Sequence, residues 1–513
     1  MAWTSEADLE DWMIGRLAAL GYATAHGAAI SPDAPEAPER RSFQEAILRR
    51  TLRAAIARLN PILPDGAVDE VLAQVCDVRF AGDPLSENRR LHGLMRDGVP
   101  VTFFANGEER SDRARLIDWT GAGNDWRAYN QVDVVGRTPR VPDVILFLNG
   151  LPVVVIELKG AEGAGLEAAF NQIETYKHDI PDLFRTVAFS VISDGVSARY
   201  GTQSAGLDRF MRWRTVDGET VVPETEALAL GTLAEGLLRP DVLLDMIRWF
   251  TVFEDEGRGA IKKVAGYHQF HAVRKAVDSI LGARGEDGKG GVIWHTQGSG
   301  KSLLMAFLAG RLMRHPGLEN PTILVLTDRN DLDNQLFGTF GRCRDLFGEE
   351  PVQADSIEAM KTLLDRQVGG VVFSTIQKFR PERGEAFPEL TARSNLVVLV
   401  DEAHRTQYGF EASLDADTGE VRRGLAHHLR TALPNAVYVA FTGTPVELVG
   451  ANTRSVFGDY IDVYDIAQAV EDGATVPIYF EARVARIELD AEVEAAMDEE
   501  FDEATEAYEA GEA

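Results

Sequence analysis

The sequence predicts an α/β protein built as two successive α/β units, the second a parallel sheet flanked by helices. Three observations carry this. Between residues 129 and 158 apolar residues recur with period two around Asn149-Gly150, as in short strands joined by a tight hairpin. Beyond residue 290, strand and helix patterns alternate in the rhythm of parallel-strand connections. Runs such as Leu396-Val397-Val398-Leu399-Val400 are apolar throughout, as strands buried on both faces are. At ~150 residues per domain, 513 residues need more than one core.

In chain order, Ser5 caps a predicted helix over residues 5–20, with Leu9, Trp12, Met13, Leu17 and Leu20 on one face and Gly21 at its end. The proline-rich Ser31–Pro38 leads to a second helix over Phe43–Leu59, closed by Asn60-Pro61; a third apolar-periodic segment covers Val68–Val78. Strands are expected at Gln131–Val135, Asp143–Leu148 and Val153–Leu158, then a helix at Gly165–His178 and a strand at Thr186–Ser193. A helical pattern at Pro240–Phe250 and the glycine-rich Gly257–Gly266 end this unit. The second unit offers strands at Gly291–Thr296, Thr322–Thr327, Gly370–Ser374, Leu396–Asp401 and Ala436–Phe441, with Leu281–Gly291 as a loop. From Glu488 onward every charged residue is acidic, which reads as a charged helix or an unstructured tail.

The composition, 45% hydrophobic and 26% charged, is that of an ordinary globular protein. A net charge of −29 argues against a chain that grips nucleic acid by overall charge, so any such grip needs local basic patches or other subunits. Cys76 and Cys343 suit neither a disulfide framework nor a zinc site. Met1–Glu10 does not resemble a signal peptide, and no apolar run reaches the ~18–20 residues of a membrane span, so a soluble cytoplasmic protein without membrane contacts is expected.

Val292-Ile293-Trp294-His295 runs into Thr296-Gln297-Gly298-Ser299-Gly300-Lys301-Ser302 and then a helical pattern, the order of a strand, a phosphate-binding loop and a helix. Gly298 and Gly300 let the backbone approach phosphate oxygens, and the amides of residues 298–302 can donate to them. Lys301 can reach the β/γ-phosphates and Ser302 can offer a hydroxyl to Mg²⁺. His295 holds the position of the usual first glycine, so the loop alone is as readily a flexible turn. Asp401-Glu402 closes a buried strand, where ligand crevices form in such sheets. Asp401 could hold Mg²⁺ and Glu402 could orient or deprotonate water. The next strand runs into Thr442-Gly443-Thr444-Pro445.

In the first unit, Pro142-Asp143 precedes Glu157-Leu158-Lys159, and Glu157 and Lys159 share one strand face. With Asp143 beside them, two carboxylates can bind Mg²⁺ while the lysine polarises a phosphate or activates water. Register decides this. A plain two-residue turn at Asn149-Gly150 sets Asp143 opposite Ile156, whereas a longer loop or a bulge at residues 149–151 sets it opposite Glu157. Gln172 and Tyr176, four apart, share a helix face. Asp133 is a candidate to steady the site from behind; Glu6 and Glu10 could approach it, but read first as solvated helix acids.

Gly298–Ser302, Asp401–His404 and Thr442–Pro445 resemble motifs I, II and III of superfamily 2 DEAD/DEAH-box helicases and translocases. Thr327–Leu336 and Ser374–Phe379 resemble the motifs that face DNA, and Tyr267-His268-Gln269 resembles the adenine-reading motif, with Gln269 as reader. Asp143, Glu157-Leu158-Lys159 and the Gln172/Tyr176 pair resemble the PD-(D/E)xK nuclease fold in its RecB-like branch, where the pair helps position substrate. The combination resembles the restriction (R) subunit of type I restriction–modification enzymes, and His295 in the phosphate loop is a feature of that family.

The resemblance implies a nuclease-like α/β domain at 1–240, a linker helix at 241–256, and a RecA-like lobe at 257–462. The start of a truncated second lobe and an acidic tail would fill 463–513. It further implies ATP and Mg²⁺ as cofactors, translocation along double-stranded DNA coupled to phosphodiester cleavage, and methyltransferase and specificity subunits as partners. The family completes its ATP site with arginines from a second lobe, so this chain is expected to bind ATP and turn it over poorly. A stand-alone helicase–nuclease of repair or phage defence, and an inert ATP-binding module, stay open as alternatives.

Overall fold

A computed structural model of the chain describes residues 5–34, 38–77, 83–105, 107–160, 165–223, 229–255, 259–328, 330–366, 369–379, 387–403, 413–414, 421–422, 425–445, 447–448 and 451–476. The acidic tail from Glu488, His404 and Arg405, and Arg329 lie outside these residues. Residues 1–474 form one compact unit. It contains two larger sheets, and both are mixed with helices as the sequence leads one to expect.

The first sheet has six strands in chain order, β1 Ala23–His26, β2 Trp126–Asn130, β3 Val144–Leu148, β4 Leu151–Leu158, β5 Phe189–Ser193 and β6 Ala198–Gly201. β1 and β2 are parallel, as are β4 and β5; the other neighbours are antiparallel. The parallel step from β4 to β5 is made through the helix Gly165–Asp179. Every residue of β3, β4 and β5 is buried, because helices cover both faces.

The strands of the second sheet are β7 Lys289–His295, β8 Thr322–Thr327, β9 Val352–Gln353, β10 Gly370–Thr375, β11 Leu396–Val400, β12 Val437–Thr442 and β13 Tyr460–Tyr464. They are parallel throughout, in the order β9-β10-β8-β11-β12-β7-β13. β7 lies between β12 and β13, so its C-terminal end opens beside those of β11 and β12, where ligands bind in such sheets. The aromatic rings of Tyr200, Trp213, Phe270, Phe250 and Phe307 touch in succession at 4.8–5.9 Å, and the buried core runs unbroken from β6 to the helix Lys301–Met313.

Several elements differ from the sequence reading. The second helix begins at Arg49 rather than Phe43, since the Leu48 amide donates to the Gly150 carbonyl at 2.8 Å and the Arg49 amide to Glu39 at 2.9 Å. Gly257–Gly266 does not simply end a unit: Ala260–Val264 pairs with Thr251–Asp255 in a ribbon. The helix Pro84–Asp97 and the ribbon Val99–Ala105/Glu108–Ala114 were not expected. No described helix is long and apolar enough to cross a membrane.

The turn between β3 and β4 depends on glycine. Gly150 has φ +86°, and a Cβ there would meet the Leu48 carbonyl at 2.6 Å and the Leu52 amide at 2.9 Å. Gly150→Ala is expected to destabilise the chain by ~1–3 kcal/mol, read as a lower urea midpoint. An unchanged midpoint would mean that the helix at Arg49 does not press on this turn.

Candidate functional site

The first site grows out of the β3–β4 hairpin. Asn149 and Gly150, with φ 51° and 86°, form a two-residue turn, and Leu148 pairs with Leu151 and Phe147 with Pro152. Continued unchanged, that register would turn Asp143 away from Glu157. Instead Val153 is skipped, Leu146 pairs with Val154 and Val144 with Ile156, so one step further Asp143 faces Glu157. Pro152, which has no N–H for the ladder, precedes the bulge. The extra residue sits at Val153 and not within 149–151, where the sequence placed it.

Asp143 Oδ2 accepts the Leu158 amide at 2.7 Å. Lys159 Nζ donates to Glu157 Oε1 at 2.7 Å and to the Leu158 carbonyl at 3.2 Å. Glu157 is 1% exposed, and its Oε2 has no hydrogen-bond partner. Burial pushes the Asp143 carboxyl up to about 6, against the Leu158 amide and Lys159. Burial first, then the Asp143 charge, push Glu157 up to about 7. Burial lowers the Lys159 ammonium, but Glu157, Asp143 and Glu6 together outweigh it and hold it above its ordinary value.

The helix Gly165–Asp179 brings Gln172 and Tyr176 to the same place. The Tyr176 hydroxyl donates to the Val141 carbonyl at 3.2 Å. Burial and then Glu157 raise its phenol, while a hydrogen bond with Gln172 works the other way. Glu6 and Glu10 are not simply solvated. Glu10 accepts from Asn130 Nδ2 and Gln131 Nε2, both at 2.6 Å, and Glu6 lies 3.8 Å from Lys159 Nζ. The charges of both reach Asp143. Their four-residue spacing was the available signal that they share a helix face. Asp133 is exposed; its backbone carbonyl accepts Arg40 NH1 at 2.9 Å, and its charge acts on the Arg40 guanidinium.

A buried carboxylate with one unpartnered oxygen, beside a half-buried one, suits a hard divalent cation. Among the described residues no group of three or more His, Cys, Asp or Glu side chains is arranged for a metal, so water and substrate oxygens would have to complete such a shell.

The second site lies at the ends of β7, β11 and β12. Gly298 (φ 87°) and Gly300 (φ 84°) shape the loop, and Gly300 caps the helix Lys301–Met313, which places Ser302 in its first turn. Gln297 and Gly298 are exposed, whereas Thr296 and Ser299 are buried, with Ser299 Oγ donating to the Thr296 carbonyl at 2.7 Å. Lys301 Nζ donates to Glu402 Oε1 at 3.3 Å. Gly443, beyond β12, comes so near that a Cβ would lie 3.1 Å from Lys301 Nζ. Glu402 adopts φ 47°, rare for a residue with a side chain, in the tight turn that follows β11. Asp401 is anchored by its amide to the Leu326 carbonyl at 2.9 Å, and its Oδ1 accepts the Glu402 amide at 3.0 Å.

Gln269 is 5% exposed and engaged by backbone at both ends: Oε1 accepts the Gly266 amide at 2.9 Å and Nε2 donates to the Gly300 carbonyl at 3.1 Å. In this arrangement it fastens the phosphate loop. His268 does the same through the Ser299 carbonyl at 3.1 Å, its ring stacked on Tyr464 at 4.0 Å. Burial brings His268 down to about 4, so the ring is neutral. His295, fully buried, pairs its Nε2 with Asp462 on β13 at 2.8 Å, so the side chain in the first-glycine position is lodged in the sheet. Of the stretches expected to face DNA, Gln377 bonds to Asp328, and Lys378 is committed to the Ala354 carbonyl at 2.9 Å.

Residues 4–209 match the family model for the type I restriction enzyme R protein N terminus, and residues 268–513 match the SWI2/SNF2 ATPase model. The type I restriction enzyme HindI endonuclease subunit of Haemophilus influenzae is 44% identical over 517 residues, covering 97% of this chain and 48% of that protein. A Methanocaldococcus jannaschii protein provisionally named a type I restriction enzyme MjaIXP endonuclease subunit is 34% identical, with the same two coverages. The Staphylococcus aureus type I restriction enzyme SauMSSORF170P endonuclease subunit is 26% identical over 92% of this chain and 47% of its own length. The chain thus spans about half the length of these relatives.

Proposed function

The chain belongs with the endonuclease subunits of type I restriction enzymes, and from that premise we propose that it joins a Mg²⁺-dependent DNA nuclease to an ATP-driven motor on duplex DNA. The nuclease would occupy residues 1–240 and the motor lobe 257–462, joined by a linker at 241–256 that is not one helix, since the helix Pro240–Trp249 gives way to the strand Thr251–Asp255, with 463–513 following the lobe.

At the first site Asp143 and Glu157 would hold Mg²⁺. When bound, the ion polarises the scissile phosphate and eases loss of a proton from water. Lys159, charged and fixed on Glu157 at 2.7 Å, places its ammonium where a phosphate oxygen gains charge in the transition state. Tyr176, bonded to the Val141 carbonyl and to Gln172, steadies the Val141–Asp143 strand end beside Glu157.

At the second site the amides of residues 298–302, with Thr296 and Gln297 leading into them, would cradle the phosphates of ATP. Lys301 balances the charge on the β/γ-phosphates, Ser302 and Asp401 would hold its Mg²⁺, and Glu402 orients the attacking water. Gln269 then has two tasks, fastening the loop and reading adenine. The partners are double-stranded DNA and the methyltransferase and specificity subunits, in the cytoplasm.

The observation that most supports this reading is the Val153 bulge, without which Asp143 would lie opposite Ile156 and away from Glu157 and Lys159. The test is nicking of supercoiled plasmid in Mg²⁺, by the chain alone and with its cognate subunits. Asp143→Ala and Lys159→Ala should each slow it by ~10²–10³. Nicking at the wild-type rate by both variants would remove the nuclease from this chain.

A further inference from the structure

Beside the first site lies a cationic corner that none of these roles uses. The short ribbon Val134–Val135/Pro139–Arg140 folds onto the C-terminal end of the helix Gly165–Asp179. The Arg137 amide donates to the Asp179 carbonyl at 2.7 Å, and a Cβ at Gly136 would lie 2.1 Å from that oxygen. Only glycine allows so close an approach, and it fixes the ribbon's tip.

Four side chains form one relay in this corner. Arg140 Nε donates to Asp179 Oδ2 at 2.7 Å. Asp179 Oδ1 lies 2.7 Å from His178 Nδ1, and His178 Nε2 lies 2.7 Å from Arg137 NH1. A guanidinium can only donate, so His178 Nε2 accepts and Nδ1 carries the proton toward Asp179. Asp179 is 6% exposed and already shared between Arg140 and His178, whereas Arg137 is exposed. Among the described residues Arg137 pairs with no carboxylate, so its charge is unspent while its direction is fixed.

The corner borders the site. Arg140 stands three residues ahead of Asp143, and Tyr176, bonded to the Val141 carbonyl, precedes Asp179 by about one helical turn, ~5 Å along the axis.

Resting on the nuclease reading above, we propose that Arg137, aligned by His178 and Asp179, grips a backbone phosphate of duplex DNA a few nucleotides from the bond cut at Asp143, Glu157 and Lys159. A guanidinium fork matches phosphate oxygens, and one already held in place loses little rotamer freedom on binding. In a chain of net charge −29 such a cation orients DNA as well as attracting it, because the surroundings repel.

The experiment uses the full chain and two fluorescein-labelled 30-base-pair duplexes of unrelated sequence. Binding is followed by anisotropy in Ca²⁺ over a range of salt. Arg137→Ala should weaken binding ~3–10-fold at 0.1 M salt, equally for both duplexes, and reduce the slope of log K against log salt by about 0.9. Arg137→Gln, which keeps the stem, should match it, and Arg137→Lys should retain the wild-type slope. His178→Ala should weaken binding less, with the slope intact, because the charge remains but is no longer aimed.

Plasmid nicking in Mg²⁺, run in parallel, separates the two claims. Wild-type nicking together with a slope unmoved in Arg137→Ala and Arg137→Gln would overturn the phosphate grip alone. No nicking by the wild type, with its cognate subunits present, would overturn the nuclease reading and this inference with it.

Discussion

Glu157→Gln is expected to abolish Mg²⁺-dependent cleavage and, in the same protein, to raise the melting temperature at pH 8. The two effects have one origin. Glu157 is a buried carboxyl pushed up to about 7, chiefly by burial and then by Asp143. An acid raised in the folded state stabilises the fold fully below its unfolded value, near 4.5, and loses that contribution as pH climbs through about 7. At pH 8 the charged form is therefore a burden of order 2–3 kcal/mol, which a neutral amide of the same shape removes. Lys159 is not orphaned by the change, since Asp143 and Glu6 still face it. The variant should melt a few degrees above the wild type at pH 8 and converge with it toward pH 4.5. Mg²⁺ should narrow the gap by stabilising the wild type alone, because a cation bound only by the folded chain raises its stability. Identical melting at pH 8 would deny that Glu157 is a buried charge, and retained cleavage would remove it from the chemistry.

This tension between stability and function also marks what the sequence could and could not say. The apolar runs of β3, β4, β8, β10 and β11 were visible because strands buried on both faces leave little doubt about period or length. β1 was not, since Ala23–His26 is mostly exposed at a sheet edge and carries no alternation. The ribbon Thr251–Asp255/Ala260–Val264 was hidden by the glycines around it. Helix propensity from Phe43 onward is overridden by the contact of Leu48 with the Gly150 carbonyl, which local sequence does not record.

The sites divide along the same line. Asp143, Glu157, Lys159 and the phosphate loop follow from residue type and spacing, but the register that joins the first three depends on one unpaired residue, Val153. Gln269 shows a further limit. A polar side chain near a helix start reads as a ligand contact or a cap, and here its amide serves the cap and the phosphate loop together. Glu6 and Glu10 read first as solvated helix acids, because charged side chains on a helix surface are common. Their position beside Lys159 and Asn130 comes from how the helix Glu6–Ala19 is laid across the strand ends.

Lys301→Ala is expected to weaken ATP binding by at least ~100-fold while leaving any ATP-independent nicking unchanged. The loss has two parts. The first is the ammonium itself, which no other side chain in the loop replaces; a charged hydrogen bond of this kind contributes about 1.5–3 kcal/mol. The second comes from Glu402, 3.3 Å from Lys301 and largely shielded from solvent. With the lysine gone, that carboxylate and the neighbouring Asp401 confront the triphosphate without its ammonium between them. The sign of a second variant follows. Glu402→Gln releases Lys301 from its carboxylate, so ATP should bind more tightly than to the wild type even though the group that orients water is lost. Combining the changes should recover part of the affinity lost in Lys301→Ala, and the size of that recovery measures the coupling between the two side chains. Titration with a fluorescent ATP analogue in Mg²⁺ reads all four proteins. Wild-type affinity in Lys301→Ala would move the nucleotide away from this loop. Weaker binding in Glu402→Gln would mean that the carboxylate holds nucleotide or its metal directly and does not merely occupy the lysine until phosphate arrives.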